Sequence, residues 1–419
     1  MSRLFGHSVL TLFRNRSFRI QWPADLLTSC AFEMETLILG WYVLTETKSV
    51  LLLTLFGALQ FTGTLVSPMF GVMGDRIGHR NLLCGMRAFY TVLAATLMIV
   101  ALAGALTPVL VLVIAGAIGL VRPSDLGVRL SLVANNVETH ELTAAMGIAR
   151  TTSDIARVSG ALAGAGMFAA FGIGPAYIAV VGFYALGMLL TTALPRAPLR
   201  TEEPDVALQL RPSAWGDLKQ GIAYAWTTPQ LLAAMLLAFL ANLTAYPLSS
   251  GLLPYVAKEI YRIDQTGLGY LVASFAVGGL IGSLIVSMIG RVIRPARVMI
   301  VSSLVWYTML LVFAQVQDHT AGMAMLMLAG LAQSVCMVTL FVVVLRIASD
   351  KFRGRVMGVR MLVIYSLPLG LLAAGALIDL IGFRFTATLY AVIGLMFTVA
   401  IAVRWHAVIW HVQTSANAR

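Results

Sequence analysis

The residues of this chain that could do chemistry are acids placed inside long apolar runs. Glu33 and Glu35 lie within the first run, Asp25 lies nearer its start, and Asp154 lies within the fifth run. A charged side chain at the centre of a bilayer costs about 2.5–3.5 kcal/mol on insertion scales, so such a residue usually faces a cavity and marks function. The acids of the second half fall in connectors or at the ends of runs. We therefore expect proton coupling to reside in the first half.

The three acids of the first run differ in their surroundings. Glu33 and Glu35 have no basic residue within four positions, so each needs a partner on another helix or must be held protonated by desolvation. At about 100° per residue they lie about 160° apart and cannot both face one cavity, and Asp25 lies about 80° from either. Glu33 lies closest to the middle of the run and is our first choice for the titrating carboxylate, with Glu35 in reserve. The alternative is a hydrogen-bonded acid that fixes helix packing.

Further polar residues could form a cavity or a charge network within the membrane. They are Arg122, Asp125, Asp154, Arg157, Asn242 and Tyr246. Asp154 could instead be neutralised on its own helix by Arg150 or Arg157, and Arg129 offers Asp125 the same kind of pairing. Asn242 and Tyr246, one turn apart in the seventh run, could line a wall of a cavity or belong only to a kinked helix.

No pattern typical of an enzyme is present in the sequence. A glycine-rich phosphate loop followed by Lys-Ser/Thr is absent, which argues against ATP hydrolysis. The three cysteines lie in apolar runs, are odd in number and have no metal-ligand spacing. We therefore predict that the chain is not an enzyme and that it holds no cofactor or metal.

Composition identifies lipid as the solvent of most of the chain. Of 419 residues, 59% are hydrophobic and only 11% are charged, whereas a soluble globular chain has about 25% charged residues. A spanning helix needs about 20 apolar residues, and the chain can be divided into roughly twelve such runs. The predicted spans are 20–44, 50–73, 82–103, 107–127, 144–170, 175–194, 230–256, 266–289, 297–316, 321–346, 356–380 and 385–409. This pattern predicts an all-α membrane protein with twelve transmembrane helices.

The net charge of +11 sets orientation and does not indicate a nucleic-acid partner. Basic residues cluster in alternate connectors, at residues 14–19, 76–80, 196–211, 291–297 and 351–355. Cytoplasmic loops carry such an excess of arginine and lysine. Both termini are therefore expected in the cytoplasm.

The chain is predicted to contain two six-helix halves, at residues 1–195 and 230–419. Small-residue patterns recur at a displacement of 211 residues, which supports a duplicated unit. Residues 196–229 are expected to form a cytoplasmic linker. Within this linker, Ser213–Trp226 has large apolar residues at helical spacing and is predicted to be an amphipathic surface helix.

A charged loop after the second span contains Gly71, Asp75, Arg76, Gly78 and Arg80. A glycine at 71 would let the second span pack closely against a neighbour, and Gly78 would permit a tight reversal before Arg80 begins the next helix. Asp75 could cap a helix start or pair with a base. Its G-x-x-x-D-R-x-G-x-R spacing resembles the loop signature of the major facilitator superfamily.

That resemblance implies a major facilitator fold with two pseudo-symmetric halves and a secondary transporter that works by alternating access. In the superfamily this loop braces one half against the other in the outward-facing state, so its five residues are expected to act as a conformational latch. The equivalent second-half loop, Gly290–Arg297, has basic residues but no acid. The latch is therefore expected on one side only.

Three stretches also look like the enterobactin-exporter-like (transmembrane secretion effector) branch, namely Leu12–Arg19, Arg157–Gly164 and Arg353–Gly358. The resemblance implies proton-coupled export of small organic molecules, of drug or siderophore type, from a bacterial cytoplasm across the inner membrane. Expected partners are a small-molecule substrate, protons and membrane lipids, and the expected state is a monomer. Two alternatives stay open: a solute importer or lipid translocator of the same fold, and a sensor or scaffold that does not transport.

Overall fold

Helices account for the regular secondary structure of every described part of the chain. The computed structural model describes residues 12–64, 66–137, 142–195, 214–289, 294–349 and 352–406. Within these ranges the chain contains no strand. The prediction of an all-α protein is confirmed.

The helices before the linker begin with a long helix that carries the three acids of the first run. This helix, α1, spans Arg16–Thr47, and the Asn15 side chain caps its first turn by accepting a hydrogen bond from the Ser17 amide at 2.9 Å. The others are α2 (Val50–Leu59), a 3₁₀ turn (Thr62–Thr64), α3 (Ser67–Ile77), α4 (His79–Leu102), α5 (Pro108–Asn136), α6 (Leu142–Phe171) and α7 (Ile173–Thr192).

The helices from the linker onward include one long irregular segment. They are α8 (Ala214–Thr227), α9 (Pro229–Leu240), α10 (Leu253–Tyr255), α11 (Gln265–Ile289), α12 (Pro295–Phe313), α13 (His319–Ile347), α14 (Arg353–Ile364), α15 (Ser366–Ile381) and α16 (Phe383–Arg404). Around α10 the backbone forms π-helical turns at Ala241–Ala245, Pro247–Gly251 and Val256–Ile260. Such turns are frequent at functional sites.

Nine helical segments in the described residues are long and apolar enough to cross a membrane, and they coincide with nine of the twelve predicted spans. The other three predicted spans fall on α1, on α6 and on the α2–α3 region. Helices α1 and α6 have 32 and 30 residues but contain charged side chains. The predicted span 50–73 is divided between α2 and α3. The total of twelve spans stays a prediction.

Close backbone contact explains the interruption of the second span. A Cβ atom at Gly63 would overlap the backbone of Leu120 on α5, and one at Gly119 would overlap the carbonyl of Leu59. The two segments therefore meet at glycines on both sides, which is how membrane helices approach most closely. Pro68 then lies in the first turn of α3, where a proline is well tolerated.

The chain packs as two compact units. The first contains the residues up to Glu202 together with Leu252–Ala276, and the second contains Glu203–Gly251 and the residues from Val277 onward. The core of the first includes Leu83 and Tyr177, and that of the second includes Leu231 and Leu340. The half boundaries at 195 and 230 stay a prediction.

Helix α8 lies against α14 in the second unit. Its Gly221 packs closely on the backbone of Arg355, and the ring of Tyr224 stacks on that of Phe352 at 4.5 Å. On the same helix, Ile222 and Trp226 are exposed. The helix therefore has one face on protein and presents apolar side chains elsewhere.

Candidate functional site

Glu35 lies in a buried pocket formed by α1 and α7. The Tyr184 hydroxyl donates to Oε2 of Glu35 at 2.9 Å, and the Tyr177 hydroxyl donates to Oε1 at 3.4 Å. The Glu35 residue is only 4% exposed. Among the described residues it has hydroxyl partners and no ion pair.

Asp25, nearer the start of α1, pairs with a fully buried arginine. Arg87 on α4 contacts Oδ1 of Asp25 and also donates to the Thr191 hydroxyl and, at 3.2 Å, to the Gly187 carbonyl on α7. One guanidinium group therefore connects three helices. A buried arginine needs this number of acceptors, because its planar fork carries five N–H donors.

Glu33 faces α6. Its Oε1 lies 3.7 Å from Nε of Arg157, and its side chain is 22% exposed. On the same helix, Arg150 pairs with Asp154 at 3.4 Å. The same-helix pairing expected for Asp154 therefore forms with Arg150, while Arg157 reaches across to α1.

The close approach of α6 to α1 depends on two glycines. A Cβ atom at Gly160 would lie 2.8 Å from the Cys30 carbonyl oxygen, and one at Gly164 would lie 2.9 Å from Cα of Met34. These glycines lie in the small-residue stretch of the fifth predicted span. Small residues at a spacing of four allow this type of contact.

The basic residues of α5 have different kinds of partner. Arg129 pairs with Asp125 at 2.7 Å and donates to the Ser29 hydroxyl at 2.9 Å. Arg122 contacts Gln60 and Thr36 and lies over the ring of Phe32. Arg122 therefore has an amide, a hydroxyl and an aromatic ring as partners, and no carboxylate among the described residues.

Glu35 and Arg122 take part in none of these ion pairs. Apart from Glu46 at the end of α1, the described parts of α1, α5 and α6 contain five acids, and four of them pair with an arginine. The fifth acid is Glu35. Arg122, on the same helix as Arg129, is an arginine that has no acid within ion-pair distance among the described residues. The charge of Arg122 interacts with the charges of Glu33 and Glu35.

A small cavity lies beside Asp25. It has a volume of about 20 Å³ and is lined by residues of α1, α5 and α6, including Gln21, Trp22, Asp25, Arg129 and Thr152. Ligand pockets occupy about 300–1,000 Å³, whereas a water molecule needs about 10–15 Å³. The cavity is therefore suited to water and too small for an organic substrate.

The predicted second-half pair, Asn242 and Tyr246, lies in the π-helical segment. The Asn242 amide donates to the Ala238 carbonyl at 2.9 Å, so it serves the backbone of its own helix. The Tyr246 hydroxyl accepts a hydrogen bond of 2.7 Å from Gln333 on α13, and its ring meets that of Trp306 edge to face at 5.2 Å. These hydrogen-bond partners of Asn242 and Tyr246 are neutral groups.

The turn between α3 and α4 occurs at Gly78, which has φ +85°. Left-handed backbone of this kind favours glycine. Helix α4 then begins at His79, and the Arg80 guanidinium donates to the Thr192 carbonyl at the end of α7. Arg80 therefore ties the turn to a neighbouring helix of the same unit.

The other residues of the loop give fewer contacts. No described atom lies within 4 Å of a Cβ atom built at Gly71, so the close packing expected there is absent. Arg76 is exposed. The side chain of Asp75 and residues 290–293 of the second-half loop lie outside the described part of the chain. The latch stays a prediction.

Sequence reasoning missed several members of the site. Arg87, Tyr177, Tyr184 and Gln60 supply partners to the residues it selected. Arg87 could have been found by applying the search for buried acids to buried bases, since it lies within the third apolar run. The tyrosines gave no such signal because apolar helices commonly contain them.

Solved structures of transporters share the fold along almost the whole chain. The structure of the nucleoside transporter NupG matches 92% of this chain and 98% of its own, with 15% identity and a TM-score of 0.66. The human organic anion transporter MFSD10 (TETRAN) matches 92% and 99%, with 17% identity and a TM-score of 0.65. A D-xylose-proton symporter matches 92% and 97%, with 12% identity and a TM-score of 0.69. At these identities the likeness shows the fold alone.

Sequence comparison identifies the family. The chain is 25% identical over 224 residues to the multidrug efflux pump Tap of Mycolicibacterium fortuitum, and the match covers 51% of this chain and 54% of that relative. The chain thus matches about half the length of this curated relative. The family model described as transmembrane secretion effector matches residues 7–418. The chain therefore belongs to the transmembrane secretion effector family of the major facilitator superfamily, and it is a multi-pass membrane protein.

Proposed function

We propose that this transporter couples proton movement to the export of small organic molecules by alternating access. The observation that carries the proposal is the unmatched pair in the first unit, Glu35 and Arg122. Proton exchange at a carboxyl already paired with arginine must break an ion pair, which is costly in a buried site. The hydrogen-bond partners of Glu35 are hydroxyl groups. Its carboxyl group can therefore gain or lose a proton without breaking an ion pair. This favours Glu35, the reserve choice from the sequence, over Glu33.

Charge balance gives the coupling a physical basis. When all are ionised, the net charge is zero for a set of five acids and five arginines of the first unit, namely Asp25, Glu33, Glu35, Asp125 and Asp154 with Arg87, Arg122, Arg129, Arg150 and Arg157. Protonation of Glu35 leaves this set with a charge of +1, centred near Arg122. A change of this kind can shift a two-state equilibrium only to the extent that the two conformations differ in their affinity for the proton. We propose that the inward- and outward-facing states differ in this way.

The direction and setting of transport are part of the same proposal. Similarity to a multidrug efflux pump supports export, and the alternation of basic connectors supports cytoplasmic termini in a bacterial inner membrane. We propose that the protein works as a monomer. The loop residues Gly71, Asp75, Arg76, Gly78 and Arg80 would form a conformational latch, and the bond from Arg80 to α7 supports a bracing role.

Transport of ethidium by the purified protein in proteoliposomes tests the proposal. A pH gradient is imposed, ethidium movement is followed by fluorescence and internal pH by pyranine. We expect Glu35→Gln to reduce gradient-driven ethidium movement at least tenfold, while ethidium exchange without a gradient continues. Glu46→Gln is the matched control, because Glu46 is an exposed glutamate at the end of the same helix.

Glu33→Gln distinguishes between the two central acids. We expect it to keep gradient-driven transport within threefold of the wild-type rate, since its carboxyl is paired with Arg157. Equal gradient-driven rates for Glu35→Gln and the wild type would overturn the role of Glu35. An effect confined to Glu33→Gln would instead restore the first choice made from the sequence.

A further inference from the structure

Tyr90 on α4 has a buried hydroxyl that no contact in the first unit explains. The residue is only 2% exposed, and its hydroxyl has no hydrogen-bond partner among the described residues. Most buried polar side-chain atoms have a partner in protein or ordered water. A phenylalanine would fill the same space without this unsatisfied group.

On one side, Tyr90 adjoins the pocket of Glu35. The ring centroids of Tyr90 and Tyr184 lie 5.8 Å apart, and the Tyr184 hydroxyl donates to Glu35. Tyr184 is therefore in contact with both residues. The hydroxyl of Tyr177 contacts Glu35 from the same helix.

On the other side, Tyr90 adjoins the charged residues of α4 and α5. The charges of Asp125, Arg129, Arg122 and Arg87 all act on its hydroxyl. Oδ1 of Asp125, the oxygen not used in the ion pair with Arg129, also has no hydrogen-bond partner among the described residues. Two unsatisfied groups, a hydroxyl donor and a carboxylate acceptor, therefore belong to the same polar region.

This region leads to the water-sized cavity. Arg129 and Asp25 line that cavity, and Arg129 is the ion-pair partner of Asp125. The cavity lies near the start of α1 and beside the second half of α5. Tyr90 thus has a residue of this cavity, Arg129, among its electrostatic partners on one side and the ring of Tyr184, the donor to Glu35, on the other.

We propose that Tyr90 is a relay residue that passes protons between this cavity and Glu35 through internal water. The inference rests on the proposed role of Glu35. In the inward step, a water molecule gives a proton to the Tyr90 oxygen while the Tyr90 O–H proton moves toward Tyr184. Tyr184 gives its own proton to the Glu35 carboxylate and takes the arriving one. Each hydroxyl ends neutral, Glu35 becomes a carboxylic acid, and the cavity supplies the proton that the water lost.

Time-resolved infrared spectroscopy of the purified full-length protein after a pH jump tests this relay without a substrate. The Glu35 signal is the carboxyl C=O band that disappears in Glu35→Gln. We expect Tyr90→Phe to slow the rise of this band at least tenfold and to leave its final amplitude and pH midpoint unchanged. A change in rate without a change in midpoint is specific to a relay, because a structural effect would move the equilibrium.

Tyr42→Phe is the matched control. Tyr42 lies on α1, seven residues after Glu35, and its hydroxyl already has a partner, because it donates to the Leu106 carbonyl at 2.7 Å. In Tyr42→Phe we expect the Glu35 carboxyl band to rise at the wild-type rate. If Tyr90→Phe also keeps the wild-type rate, or shifts the midpoint along with the rate, the relay is wrong. If no band disappears in Glu35→Gln, the proposed role of Glu35 fails and the relay fails with it.

Discussion

The two packed units place different polar groups in their membrane-embedded helices. Among the described residues, the first contains four ion pairs, a buried glutamate between two tyrosines and an arginine held by neutral groups. The second has amide and hydroxyl contacts such as those of Gln333 with Tyr246 and Thr244 with Tyr307. Charges are costly in lipid and are retained where they serve function. The difference supports our proposal that proton coupling resides in the first unit, whereas these contacts of the second unit are hydrogen bonds between neutral groups.

The strongest way to break this comparison is to remove one partner of a buried ion pair. Arg87→Leu leaves Asp25 without its counter-ion, and we expect a loss of about 3–5 kcal/mol in the free energy of unfolding. Equilibrium unfolding in mixed micelles measures it. The double variant with Asp25→Asn should recover much of the loss, because both charges are then gone. A single variant within about 1 kcal/mol of the wild type would contradict a buried pair.

Both units contain glycines that pack closely against the backbone of a neighbouring segment, and substitution of these glycines should destabilise both units. Gly160→Ala in the first unit pushes a methyl group against the Cys30 carbonyl, and Gly370→Ala in the second pushes one against the backbone of Leu243. We expect each to lower the free energy of unfolding by about 1–3 kcal/mol, as overpacking does elsewhere. Thermal unfolding of the wild type and of each variant in detergent measures these two losses of stability.

Each unit contains a control position for these substitutions, Gly166 in the first and Gly358 in the second. Gly166 and Gly358 have no described atom within 4 Å of an added Cβ. Alanine there should stabilise by up to about 1 kcal/mol, because glycine is the poorer helix former. Destabilisation by Gly166→Ala equal to that of Gly160→Ala would show that the close contact between α1 and α6 is not what matters.

A smaller effect is expected from the neutral network of the second unit. Gln333→Leu removes the donor to the Tyr246 hydroxyl and should cost about 0.5–1.5 kcal/mol, the usual net value of a hydrogen bond. Gradient-driven ethidium transport should keep its dependence on pH, since no charge changes. An altered pH profile would show that the second unit takes part in proton coupling and would remove the contrast between the units.

The smallest effect is expected at the N-terminus of α13, outside the membrane-spanning segments. Hydrogen bonds from the Thr320 hydroxyl and the Ala321 amide hold the pKa of Asp318 below its usual range. A lowered pKa in the folded state gives stability that is present above the unfolded-state pKa and is lost as the pH falls through the folded-state value. With Asp318→Asn, the free energy of unfolding should therefore fall slightly less steeply as the pH is lowered into the acid range. An unchanged acid limb would show that the cap contributes nothing.

Several parts of the site could be predicted because they depend on local geometry. The 100° step of a helix placed Glu33 and Glu35 on different faces, and they contact α6 and α7 respectively. The spacing of Arg150 and Asp154 allowed their ion pair, and the reversal at Gly78 followed from its conformational freedom.

Other parts could not be predicted, because they join residues far apart in sequence. The partner of Asp25 lies 62 positions away, and the tyrosines that hold Glu35 lie 142 and 149 positions away. No periodicity reports such distances. The choice of Glu33 over Glu35 relied on depth along the helix, whereas the identity of the groups around each acid favours the opposite order.

The sequence by itself determined the solvent of the chain, its helical class and its superfamily, because apolar run length, the cost of buried charge and a short loop signature are local properties. Only the tertiary structure decided which of Asp25, Glu33, Glu35, Asp125 and Asp154 lacks a counter-ion among the described residues. That outcome depends on how helices α1, α4, α5, α6 and α7 bring side chains together. An acid that forms an ion pair with an arginine cannot take up a proton without breaking that pair. Glu35 is the acid that remains.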